Sequence, residues 1–102
     1  MAGFNMQGLM RQAQQMQQKL KEAQEELEQT ELIGTAGSAL VKVTVNGKKI
    51  ISSISIDPKA VDTEDIEMLE DLLIAAINDA YNQADEAYSE KMGAFEGLGG
   101  LV

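Results

Sequence analysis

From about Asn5 to Leu32, apolar residues return at alternating steps of three and four: Met6, Leu9, Ala13, Met16, Leu20, Ala23 and Leu27, with Thr30 closing the series. That is a seven-residue repeat with one narrow stripe, the pattern of a helix packed along a seam. Gln, Lys and Glu fill the positions between, all adequate helix formers, and Gly8 is the one weak point. Such a helix runs to roughly 40 Å at about 1.5 Å per residue, longer than a small domain needs for its own core. A two-in-seven stripe suits a coiled-coil partner better than a sheet face. Leu9, Ala13, Met16, Leu20, Ala23 and Leu27 are therefore expected to form a dimer interface, the alternative being a helix packed on its own domain's core.

The period then changes from helical to twofold. Ala39–Val45 alternates, with Val41, Val43 and Val45 on one face and Leu40, Lys42 and Thr44 on the other. Asn46-Gly47 predicts a two-residue type I′ hairpin, because both central positions there need positive φ. That loop would set Val45 opposite Lys48, Val43 opposite Ile50, Val41 opposite Ser52 and Ala39 opposite Ile54. Glu31–Ala36 reads as a further strand turned by Gly37-Ser38, which makes an antiparallel three-stranded meander.

Asp57-Pro58 ends the sheet, and Asp62 or Thr63 is placed to cap a second long helix. Ile66, Leu69, Leu73, Ala76, Ala80, Ala84 and Ala87 line one side of it, widened by Leu72, Ile77, Tyr81 and Tyr88. The broad stripe marks this helix as the main cover of the sheet, and its alanines would admit a second helix closely. Gly93, Gly97, Gly99 and Gly100 predict a flexible tail over residues 93–102, leaving 1–92 as a single α+β domain of order α-β-β-β-α.

Composition narrows the function. The chain has 102 residues, no Cys, no His and no Trp, so disulfide and thiol chemistry are excluded and the core is aliphatic. No run approaches the roughly 20 apolar residues of a membrane span, and the N-terminus predicts no secretory signal. The formal charge of −9 is unevenly spread. Residues 1–21 hold Arg11, Lys19 and Lys21 and no acid. Residues 33–59 hold four Lys against Asp57, whereas 60–102 hold eleven acids and only Lys91. A polyanion would be repelled by the whole and attracted only by the first two regions.

Catalysis finds no means. There is one Arg, no phosphate-cradling glycine loop, and no base near Ser52, Ser53 or Ser55. Asp62, Glu64, Asp65, Glu67, Glu70 and Asp71 lack the spacing of a calcium loop and suit the start of a helix. No enzyme activity, cofactor, metal or small-molecule substrate is expected. On the polar side of the first helix, Arg11, Gln14, Gln15, Gln18 and Lys21 follow at helical spacing. Gln can bond phosphate or pair with adenine, and Arg and Lys supply charge. The same residues also suit a plain solvated helix face.

The order of parts resembles the YbaB/EbfC family of bacterial nucleoid-associated DNA-binding proteins. The residues that carry the likeness are Leu9-Met10-Arg11-Gln12-Ala13-Gln14-Gln15-Met16-Gln17, Leu40-Val41-Lys42-Val43-Thr44-Val45-Asn46-Gly47 and Ile56-Asp57-Pro58. Glu67-Met68-Leu69-Glu70-Asp71-Leu72, Ala75-Ala76-Ile77-Asn78-Asp79-Ala80 and Glu90-Lys91-Met92 extend it over nearly the whole chain. The resemblance implies a tweezer-like homodimer with protruding helices, binding to double-stranded DNA, a cytoplasmic place on the nucleoid and effects on gene expression. It nominates Arg11, Lys19, Lys21 and Lys91 for DNA contact. One departure stands out: no basic residue lies between Asp62 and Glu90. That acidity motivates a rival expectation, a dimeric protein-interaction module whose second helix meets a basic partner.

Overall fold

The computed structural model describes residues 5–99. It runs α1 (Met6–Gln29), β1 (Glu31–Ala36), β2 (Val41–Asn46), β3 (Ile51–Ile56), a 3₁₀ turn (Pro58–Ala60) and α2 (Ile66–Gly99). The strands form one antiparallel sheet in the order β1-β2-β3. The molecule measures 78 × 21 × 16 Å, a rod rather than a ball.

Alternation along β2 becomes burial. Val41, Val43 and Val45 are fully enclosed, while Lys42 faces solvent. Ala76, Ala80 and Ala84 of α2 close over them, with Leu32, Leu69, Leu72, Leu73, Ile77 and Tyr81 around the rim. Burying each valine contributes about 1.5–3 kcal/mol. Ala76, Ala80 and Ala84 serve this contact with the sheet, while Ala87 farther along the same stripe admits α1, packing beside Ala23 and Leu27. At Gly34 of β1, a Cβ would overlap the carbonyl of Ala76 and the amide of Ala80. Helix backbone lies directly on strand backbone there.

Several local expectations are corrected. The hairpin register is shifted: Val41 faces Ile56, Val43 faces Ile54 and Val45 faces Ile51, with an irregularity between Thr44 and Val45. Asn46 is the last residue of β2, not the first of a two-residue turn. Its Oδ1 accepts from the amides of Lys48 (2.8 Å) and Ile50 (3.1 Å), and Lys49 takes the positive φ of 65°. The asparagine side chain thus builds a longer loop by substituting for backbone acceptors. Ala39 belongs to the β1–β2 turn, where Gly37, Ser38 and Ala39 all have positive φ.

At the start of α2, Asp65 accepts from the amide of Met68 and Asp62 from that of Glu64. Capping therefore falls to Asp65, and the helix begins at Ile66. At its end, α2 continues through the stretch expected to fray after Met92 and reaches Gly99. Residues 100–102 of that expected tail lie outside the described residues.

The stripe of α1 divides in two. Ala23 and Leu27, expected to face a second copy, are buried against Met92 of their own chain, with Leu20, Ala87 and Phe95 packed around them. Leu9, Ala13 and Met16 stay exposed. The second long helix reaches the C-terminal half of the stripe, and α1 projects beyond the sheet.

Candidate nucleic-acid interface

Asn5 starts the projecting half of α1 by accepting the amide of Gly8 at 3.0 Å. From Met6 to Lys21 no acidic side chain interrupts the helix. Arg11, Gln14, Gln15 and Gln18 share one exposed face, because steps of three, four and seven bring residues together. Leu9, Ala13 and Met16 stand on the opposite side. Lys19 and Lys21 are both exposed but only two positions apart, so they flank the Gln face from either side. Gln15, Gln18, Lys19 and Glu22 line one shallow depression.

Charge runs against the usual preference of a helix. α1 has no acid in its first turn and no base in its last, while Glu22, Glu25, Glu26 and Glu28 crowd its C-terminal third. The macrodipole favours the reverse. None of Arg11, Lys19 and Lys21 lies in the first turn, where the dipole acts most strongly, so the positive charge of the projecting half comes from these side chains with no acid among them.

Ion pairs sort the remaining cations. Lys48 holds Glu28 at 2.8 Å and Lys49 holds Asp85 at 2.5 Å. Lys49 also lies 5.8 Å from the centre of the Tyr81 ring. Lys91 pairs with Glu26 in a depression it shares with Glu22, Glu25, Gln29 and Thr30. Each pair is exposed and contributes little stability, yet each places a carboxylate where a phosphate would have to sit. Lys91 is thus set apart from the other residues nominated for DNA. Among the described residues, Arg11, Lys19, Lys21, Lys42 and Lys59 form no ion pair. The separation of Lys91 was not visible in sequence, because Glu26 lies 65 positions away.

No three His, Cys, Asp or Glu side chains converge among the described residues. No described helix is long and apolar enough to cross a membrane. The acids of residues 62–71 are partly consumed by turns and caps, as Asp62 and Asp65 show.

Comparison with known proteins adds an independent line. The model of the YbaB/EbfC DNA-binding family matches residues 1–100. A nucleoid-associated protein of Caldanaerobacter subterraneus subsp. tengcongensis is 45% identical, over 93% of this chain and 86% of that one. A nucleoid-associated protein of Corynebacterium glutamicum strain R is 46% identical, with 95% of each chain covered. The crystal structure of an uncharacterized protein from Helicobacter pylori superposes with a TM-score of 0.74 at 25% identity, covering 93% of this chain and 98% of that one.

Proposed function

The chain belongs to the YbaB/EbfC DNA-binding family, and from that footing we propose that it is a nucleoid-associated protein that binds duplex DNA as a homodimer. The contact surface is the projecting half of α1: Arg11, Lys19 and Lys21 against phosphates, with Gln14, Gln15 and Gln18 between them. One observation carries this reading. In a chain of net charge −9, the unpaired cations of α1 sit on an acid-free helical segment that stands clear of the acidic body. No catalytic step is assigned. Binding of this kind positions DNA and supports roles in nucleoid organisation and gene expression.

Three cations per protomer make a modest site, and two protomers double it. Affinity for duplex DNA then falls steeply with salt, with a log–log slope of about −0.9 per phosphate neutralised. Gel retardation at several salt concentrations tests the reading. The wild type retains DNA at low salt, and Arg11→Glu with Lys21→Glu reduces retention and flattens the slope. Unchanged binding in that double variant removes the proposed surface. Absence of retention even at low salt, with a stoichiometric protein partner in a pull-down, would replace the reading by that of an acidic interaction module.

A further inference from the structure

The glutamines of α1 take no part in holding the fold. Gln7, Gln12, Gln14, Gln15, Gln17 and Gln18 all lie exposed in the projecting half. Among the described residues, the polar side-chain contacts of α1 belong to Asn5, Glu26, Glu28 and Thr30, and none engages these amides. Gln83 of α2 shows the structural use of the same group. Its Nε2 donates to the Ile33 carbonyl at 2.8 Å, beside the Asp79 carboxylate that accepts the Thr35 amide, and together they close the β1 edge.

Gln7, Gln14 and Gln18 stand in one row. At about 100° per residue they fall within about 40° of a single line along the helix. Steps of seven and four residues separate them, roughly 10 Å and roughly 6 Å at about 1.5 Å per residue. Those distances are about three and about two base pairs of duplex DNA, at about 3.4 Å each. Arg11 and Lys19 lie to one side of Gln18 and Lys21 to the other, so the row has cations on both flanks. The row ends at Glu22, where a carboxylate would turn a phosphate away.

A helix with its side chains, roughly 10–12 Å across, fits the major groove, about 12 Å wide. The amide group decides what the row meets there. A carboxamide carries a carbonyl acceptor as well as N–H donors. Phosphate oxygens only accept, so against the backbone each Gln carbonyl would go unmatched. A neutral amide also releases no counterion there. Adenine presents its N7 acceptor and N6 donor side by side in the major groove, and one carboxamide satisfies both.

We infer that Gln7, Gln14 and Gln18 read adenines in the major groove, while Arg11, Lys19 and Lys21 hold the phosphates along its walls. This rests on the duplex-DNA reading above and adds a base preference to it, for adenines recurring over about five base pairs. The cations set the affinity for any duplex. The neutral row sets which duplex binds best.

Selection from a duplex pool randomised at its centre, followed by fluorescence anisotropy, is the test. The wild type is expected to enrich adenines at those intervals. It should bind the selected duplex above an unselected one by about tenfold for each amide engaged, within the range for a bidentate pair. The triple variant Gln7→Ala, Gln14→Ala and Gln18→Ala is expected to bind both duplexes equally and to keep the wild-type salt slope. Replacing adenine by 7-deazaadenine removes the N7 acceptor without changing charge or pairing. It is expected to weaken the wild type and leave the triple variant unaffected. Absence of base preference, enrichment of other bases, or a preference or deaza effect that survives the triple variant overturns the readout and leaves DNA binding standing. A wild type that retains no duplex at low salt overturns the DNA reading beneath it.

Discussion

The amide of Gly47 donates to the carbonyl oxygen of Leu27 at 2.8 Å, joining the β2–β3 hairpin to the last turn of α1. A Cβ at Gly47 would lie 2.7 Å from that same oxygen and 2.8 Å from Leu27 Cδ2. The glycine of Asn46-Gly47 is thus required for close approach, and its φ is not positive. This contact, with the Lys48–Glu28 pair beside it, fixes the root of the projecting helix.

Gly47→Ala is accordingly expected to destabilise the fold by about 1–3 kcal/mol, the range for overpacking a close contact. Urea denaturation measures it. Asn46→Ala should also destabilise, since it strips acceptors from two loop amides.

Arg11 and Lys91 should separate in DNA binding. Lys91→Gln removes a cation already engaged by Glu26, so the salt dependence of affinity stays as it is. Arg11→Gln removes one with no carboxylate partner and lowers the slope by about 1 for each phosphate left without its cation. Fluorescence anisotropy with labelled duplex over a salt series compares the two. Equal effects would show that Lys91 leaves Glu26 to reach phosphate.

Glu22 and Glu25 bound the acid-free segment, and Glu22 shares a depression with Lys19. Glu22→Gln with Glu25→Gln should tighten DNA binding at low salt. Unit charges roughly 10 Å apart in water interact by about 0.4 kcal/mol, so about twofold per charge removed is expected, vanishing at high salt.

Asp79 and Gln83 close the β1 edge. Asp79→Ala leaves the Thr35 amide without its carboxylate and should cost about 1–2 kcal/mol. Combined with Gln83→Ala, it bares the edge and should bring concentration-dependent association beyond the wild-type assembly. Sedimentation velocity across concentrations reads this directly.

Legibility followed the range of the interaction. Local pattern identified all five main elements, the buried face of β2 and the acid-free cationic run of α1, since periodicity and charge are properties of neighbouring residues. Asn46-Gly47 misled about register. A dipeptide reports only the turn it favours, whereas here the asparagine side chain organises a longer loop and the glycine makes room for Leu27. The stripe of α1 misled only in its C-terminal half, where Ala23 and Leu27 pack on Met92 of their own chain, because hydrophobic spacing shows that a face is to be covered but not by what.

The amino-acid order alone determined the α-β-β-β-α succession, the membership of Val41, Val43 and Val45 in the core, and the contrast between a basic start and an acidic end. Only the folded chain decided that Ala23 and Leu27 pack against Met92, that Lys91 is engaged by Glu26, and that β3 keeps three isoleucines uncovered while β1 is closed by Asp79 and Gln83. Each of these depends on where α2 lies across the sheet. Backbone contact at Gly34 and the small radius of Ala76 and Ala80 set that position, in a region of space that no neighbouring stretch of sequence encodes.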